Sequence, residues 1–285
     1  MPRIAPRICH AGAACLLLAA GGFRDGDTKG YAEPIKGTAL SIDMIEVDTG
    51  DPASQLWMSR TEIPWEVLDV CVYGFDKKEG VSDPPCADAV TRPTKPYIAT
   101  DRGFGHAGWP ANSVSFQNAK AFCEWLSAKT GKRYRLPTIA EWKRACEKSR
   151  IDPAKATDFA WCDDNSDGTT HKIGSKKPDA QGLCDLWGNL AEWCVEPDGS
   201  GSVMGGSYRE AADEIGCDAL EEETPDWNMS DPQIPKSIWW LADAGWIGFR
   251  VVCEGPTDRA APNTALTNPT AITTTQPTAT PKENP

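Results

Sequence analysis

Nine cysteines, at positions 71, 86, 123, 146, 162, 184, 194, 217 and 253, run through the middle of the chain, and no two are spaced as C-x-x-C. Their number limits the fold more than any other feature, because a chain so rich in thiols needs either an oxidising compartment or a metal to occupy them. Without a C-x-x-C pair, a thiolate zinc site or a thioredoxin-like redox pair is disfavoured. The start of the chain points to the oxidising alternative. Arg3 and Arg7 precede a short apolar run from Ala11 to Ala20, followed by Gly21 and Gly22, which is the pattern of an export signal. A buried or mis-started N-terminus is the competing reading. Cys9 and Cys15 would leave with residues 1–22, and the nine that stay allow up to four disulfides and one odd thiol. Whether Cys217, at the end of "GGSYREAADEIGC", is a reactive thiol, a ligand or half of a disulfide is open at this point.

Charge narrows the partners. With 29 basic and 41 acidic residues the formal net charge is -12, so the basic footprint of a nucleic-acid binder is missing. No segment reaches about 18 consecutive apolar residues, so no transmembrane span is expected. Residues 23–38 are glycine-rich and polar and read as a linker. Residues 256–285 are rich in proline and threonine, have almost no large apolar side chains, and read as a disordered tail. The folded unit is then 39–255, one domain.

Two helices are legible inside it. Ala119, Phe122, Cys123 and Leu126 fall at i, i+3, i+4 and i+7, with Ser115 as N-cap and Gly131 as stop. Thr138 and Glu141 form a T-x-x-E capping box ahead of Trp142, Ala145 and Cys146. "VMGGSY" and "WIGFRVVCE" read as short strands with glycine where the backbone turns or packs closely. Twelve tryptophans, several of them in 187–193 and 227–246, are expected to fill a core between irregular loops. The class is α+β.

Five segments in order, "SVSFQNAKAFCEWLS", "RLPTIAEWKRAC", "GLCDLWGNLAEW", "GGSY" and "GFRVV", resemble the formylglycine-generating enzyme family, the sulfatase-modifying factors. The resemblance covers roughly residues 110–255 and implies an elaborated C-type-lectin-like fold with much irregular structure. Characterised enzymes of that family hold copper(I) on two cysteines a few residues apart after the GGS segment and oxidise a substrate cysteine with O2. Here "REAADEIG" stands in those places, and carboxylates do not replace the soft thiolates that copper(I) prefers.

The resemblance also implies two disulfides, Cys146–Cys217 and Cys123–Cys253. The second would close a loop of about 130 residues, worth on the order of 4–5 kcal/mol in loop entropy. Pairs Cys71–Cys86 and Cys162–Cys184 are expected from proximity alone, leaving Cys194 as the odd thiol. In "GLCDLWGNLAEW" the family pattern places calcium on the side chains of Asp185 and Glu192 and the carbonyls of Gly188 and Leu190, an oxygen set of the kind calcium takes. "DDNSDG" offers Asp163, Asn165 and Asp167 as a weaker second cation loop, although Gly174 stands where an EF-hand needs glutamate. Its plainer reading is an Asx-rich turn.

Catalytic candidates are few. His171 matches a structural turn of relatives and is read as a hydrogen-bonded loop residue. Ser207 follows two glycines with no histidine near it in sequence. Arg135 and Arg250 are expected in buried ion pairs with carboxylates such as Glu141. Three functions stand together: a non-catalytic exported module binding a peptide, glycan or protein; a copper-dependent oxidase rebuilt around Cys217 and Cys194; and a calcium-hardened structural module of the envelope.

Overall fold

A computed structural model describes residues 29–52, 54–76 and 100–255. In chain order it contains β1 (Gly30–Pro34), β2 (Ser41–Val47), β3 (Leu56–Ser59), α1 (Trp65–Tyr73), α2 (Phe116–Thr130), β4 (Tyr134–Arg135) and α3 (Ile139–Lys148). Then follow α4 (Ala156–Phe159), β5 (Ala191–Val195), β6 (Gly201–Gly205), β7 (Gly216–Glu222), β8 (Ile247–Gly248) and β9 (Val252–Glu254). The expected signal segment 1–22 and tail 256–285 lie outside the described residues.

The strands form two sheets, ordered β1-β2-β3-β9-β4 and β7-β6-β5-β8. In the first, the C-terminal strand β9 lies between β3 and β4, antiparallel to both, so the last strand closes the sheet that the first strands begin. In the second, Glu192 of β5 is opposite Met204 of β6 and Gly248 of β8. The three segments "LAEW", "MGGS" and "GFR" therefore lie side by side, and this register builds the site described below.

Both legible helices form for the reasons their sequences give. Ser115 Oγ accepts the Asn118 amide at 3.1 Å, and α2 ends on Gly131 in the left-handed region at φ 74°. Thr138 and Glu141 complete a capping box at the start of α3. Two apolar clusters fill the space between the layers. One gathers α1, α2, Trp193, Trp227, Trp240 and Phe249. The other packs Trp142 of α3 with Ile45, Met58, Leu186 and Met204.

Within the expected linker, residues 30–34 form a strand, β1, which pairs antiparallel with residues 41–45 of β2. Its alternation is short and hidden by polar composition. Tyr31 stands edge-on to Trp57 at 5.6 Å, and Glu33 accepts from Tyr134 Oη at 2.6 Å and pairs with Lys132.

Cys146 of α3 and Cys217 of β7 are joined by a disulfide with a Cα–Cα distance of 5.5 Å. Cys71 is also disulfide-bonded; its expected partner, Cys86, lies outside the described residues. The other implied pairs do not form, since Cys123, Cys253, Cys162 and Cys184 are buried free thiols. Cys253 is held in β9 between Trp57 and Tyr134, with its Sγ against its neighbour's carbonyl, Glu254 O, at 3.7 Å. Cys123 lies on the buried face of α2. Cys162 turns toward the Asp164 carboxylate at 3.7 Å, while burial pushes the Cys184 thiol up to about 11 beside Asp185 and Arg60. Each thiol has its own surroundings, and shared burial alone does not pair them.

Candidate functional site

At the junction of the two sheets a guanidinium and three carboxylates meet out of solvent. Arg250, in the "GFR" segment, donates from Nε to Glu192 Oε2 and from Nη2 to Glu192 Oε1, both at 2.6 Å. Both side chains are completely buried. Trp142 Nε1 adds a bond to Glu192 Oε2 at 2.8 Å. The remaining guanidinium donors reach the carbonyls of Ser59 and Cys184, each at 2.9 Å. Arg135, by contrast, sits near the rim with Glu141 and Glu254, both at 2.7 Å. The two arginines therefore have different carboxylate partners, and Glu141 pairs with Arg135 while also accepting the Thr138 amide of the capping box.

Glu62 completes the centre, and nothing in "TEIPW" marks it: an acid beside apolar residues gives no periodic or motif signal. Its Oε1 accepts the Leu190 amide at 3.1 Å and its Oε2 accepts from Asn189 Nδ2 at 3.2 Å. Burial, then the charges of Asp185 and Glu192, push its carboxyl well above the ordinary range. Asp185 takes the Gly174 amide on Oδ2 at 2.6 Å, and burial raises its carboxyl to about 6. Gly188 makes the turn between these acids. At φ 70° a Cβ there would fall 2.1 Å from the Trp161 carbonyl, so no other residue fits.

These residues fit the implied calcium set in part. Asp185 Oδ1 is buried without a hydrogen-bond partner, an orphaned anionic oxygen of the kind a hard cation satisfies. Glu192 does not fit the role the family pattern gives it, because both its oxygens are committed to Arg250 and Trp142. Among the described residues no group of three or more His, Cys, Asp or Glu is arranged to hold a metal ion.

The loop after Gly205-Gly206-Ser207, where the family's copper thiolates would stand, is closed on itself. Glu210 Oε2 accepts from both the amide and the hydroxyl of Ser207 at 2.7 Å. Its other oxygen pairs with Arg209, which also reaches Glu221 at 2.8 Å. The Arg209 guanidinium lies 3.3 Å above the Trp246 ring. Ser207 is thus a fully buried donor and does not stand as a nucleophile. Cys217, farther along, is consumed by its bond to Cys146. Cys194 is fully buried in β5, where burial pushes its thiol well above the ordinary value. The structure does not bring Cys194 and Cys217 together as a pair of free thiols.

"DDNSDG" braces that loop. The Asp163 amide donates to Glu210 O and Asp164 Oδ2 accepts the Ala212 amide, both at 2.8 Å. Asn165 accepts from Cys162 N at 3.0 Å and donates to Thr157 O and Ala160 O. The Asn165 side chain is thus committed to backbone, while Asp163 and Asp167 are exposed. His171 stacks on Trp161 at 3.6 Å and its Nε2 lies 2.9 Å from Ser166 O, the position of a packed loop residue.

Comparison with known proteins agrees with this architecture. A family model described as "Sulfatase-modifying factor enzyme 1-like domain" matches residues 10–254. Treponema denticola variable protein 1 has a similar structure, with a TM-score of 0.53 at 20% identity over 80% of this chain and 99% of that one. PvdO from Pseudomonas aeruginosa gives a TM-score of 0.50 at 23% identity over 80% of this chain and 92% of its own. At these identities the likeness speaks to the fold. Serine/threonine-protein kinase pkn1 of Chlamydia pneumoniae is 32% identical over 102 residues, 32% of this chain, and the match spans 14% of that protein's length.

Proposed function

The chain belongs to the sulfatase-modifying factor enzyme 1-like family, and from that premise we propose that it is a non-catalytic, exported binding module. In this reading a disulfide-stapled scaffold presents its irregular loops to a peptide, glycan or protein ligand. One observation carries the reading: Glu210, in the loop that follows Gly205-Gly206-Ser207, is locked by Ser207 and Arg209. A loop so satisfied offers no soft ligand for copper(I), and the nearby Cys217 serves as a structural bond. Calcium belongs to the proposal as a stabiliser held through Asp185 and the carbonyls of Gly188 and Leu190, with Glu192 fixing the turn through Arg250 and not ligating. Export is supported by the basic-then-apolar start of the chain. Among the described residues no helix is long and apolar enough to cross a membrane.

The test is a copper(I) titration of the purified protein, with O2 uptake followed in the presence of a cysteine-containing peptide. The expected result is no stoichiometric thiolate-bound copper and no peptide oxidation above buffer. Stoichiometric copper with O2-dependent peptide oxidation would restore the oxidase reading.

A further inference from the structure

Of the large apolar side chains that stand exposed among the described residues, three belong to one loop, 229–240. Met229 is 62% exposed, Ile234 99% and Ile238 57%. The loop is folded on itself. Asp231 accepts the amides of Gln233 at 3.0 Å and Ser237 at 2.6 Å, and Lys236 Nζ donates to the carbonyls of Met229 and Asp231. Polar groups of the loop are thus bonded to one another while its apolar side chains face solvent. A single exposed apolar residue needs no account, but three on one built loop form a contact surface.

This loop borders an open groove of about 900 Å³, leaving its wall at Asn228 and returning to it at Leu241. Asn228 clamps the base of the loop: its Nδ2 donates to Ser237 O at 2.9 Å and its Oδ1 accepts the Ala242 amide at 2.8 Å. The rest of the wall comes from the turn between β5 and β6 and from the chain that leaves β7. Glu196, Asp198, Glu222 and Glu223 line the groove, and no lysine, arginine or histidine does. Glu196 accepts from Ser202 Oγ at 2.7 Å, and Asp198 from the amide and hydroxyl of Ser200 at 2.9 and 2.6 Å. Glu222 and Glu223 have no hydrogen bond or ion pair among the described residues, whereas Glu221, one position earlier, pairs with Arg209. Partial burial alone raises the Glu223 carboxyl, the response of a carboxylate drawn from water without a counter-charge.

We propose that this groove and its apolar loop dock a peptide segment of a partner protein in which lysine or arginine stands beside large apolar residues. Its ammonium or guanidinium groups supply the groove with counter-charge, and its apolar side chains cover Met229, Ile234 and Ile238. Charge complementarity decides among the occupants. A second copy of this chain, with its net charge of -12, brings like charge to the groove, and so does a nucleic acid or an anionic lipid surface. A metal ion leaves the loop uncovered, and no group of three or more His, Cys, Asp or Glu is arranged to hold one among the described residues. The proposal rests on the binding reading above and gives it a ligand chemistry.

The test uses the full chain and fluorescence anisotropy with a labelled peptide of lysine, leucine and serine. Two counterparts replace its lysines by glutamate or its leucines by serine. The parent peptide is expected to bind roughly tenfold more tightly than either counterpart. Glu222→Gln together with Glu223→Gln is expected to weaken it roughly tenfold, and Ile234→Ser together with Ile238→Ser severalfold. Glu147 and Asp213 are exposed and lie outside the groove. Glu147→Gln with Asp213→Asn removes the same charge and is expected to leave binding unchanged. Near-UV circular dichroism reports that each variant is folded. Equal binding of the three peptides, a charge-matched control weakened as much as the groove variant, or unchanged binding in the groove and loop variants would overturn the proposal. Copper uptake and peptide oxidation are separate readouts, so failure of the binding-module reading is distinguishable from failure of this site.

Discussion

The Arg250 guanidinium and the Glu192 carboxylate face each other through two hydrogen bonds of 2.6 Å, both side chains fully out of solvent. Such a pair adds little over a well-packed apolar one, but removing one partner strands a buried charge. Here Glu62 and Asp185 stand close to the same guanidinium, which sharpens the asymmetry. Arg250→Met is therefore expected to cost about 3–5 kcal/mol, measured by urea denaturation. A cost under about 1 kcal/mol would mean that the pair is not formed as described.

The Cys146–Cys217 bond spans 71 residues of sequence. Loop-closure entropy for that span corresponds to about 4 kcal/mol. Cys146→Ala together with Cys217→Ala should lower the denaturant midpoint, and raise the denaturation slope because the unfolded chain is no longer cross-linked. Loss of all cooperative unfolding would place the bond among the requirements for folding; an unchanged midpoint would contradict its presence.

His106 supplies a pH dependence. Its Nε2 lies 2.7 Å from Asp69 Oδ2 and its Nδ1 3.4 Å from Asp101 Oδ2. Burial acts to lower its pKa, but the two carboxylates outweigh it and hold the imidazolium above its ordinary value. A raised histidine pKa contributes stability that is complete below about pH 6.5 and is lost as pH rises through the folded value. Asp69 is itself pushed up by burial despite His106. Thermal melts should thus show a decline from near-neutral to mildly alkaline pH that His106→Gln flattens. An identical profile in the variant would assign the decline elsewhere.

The orphaned Asp185 Oδ1 gives calcium a readout. Ligand bound only to the folded state raises the melting temperature in proportion to the logarithm of its concentration above Kd. Millimolar calcium is expected to raise the melting temperature over a chelator-treated sample, and Asp185→Asn to abolish the increment. Equal melting with and without calcium would remove the ion from the account.

How much of this was legible depends on whether an interaction is local. The caps at Ser115 and Thr138 and the buried faces of α2 and α3 are set by residues a few positions apart, and they form as the sequence implies. The resemblance carried the fold and the Cys146–Cys217 pair. Strand β1 escaped because its partner, not its composition, makes it a strand. Glu192 looked like a calcium ligand because the motif is silent about Arg250, 58 positions away. Glu62 had no motif at all; its meaning comes from what the fold brings beside it. The pairs expected for Cys123 with Cys253 and for Cys162 with Cys184 are not formed, all four being buried free thiols.

The state of Cys217 separates a stapled binding module from an oxidase most directly. Native protein would be alkylated under denaturing, non-reducing conditions, digested, and mapped by mass spectrometry. The account predicts one peptide pair linking Cys217 to Cys146, with Cys194 recovered as an alkylated thiol. Recovery of Cys217 as a free alkylated thiol, or linked to Cys194, would contradict it.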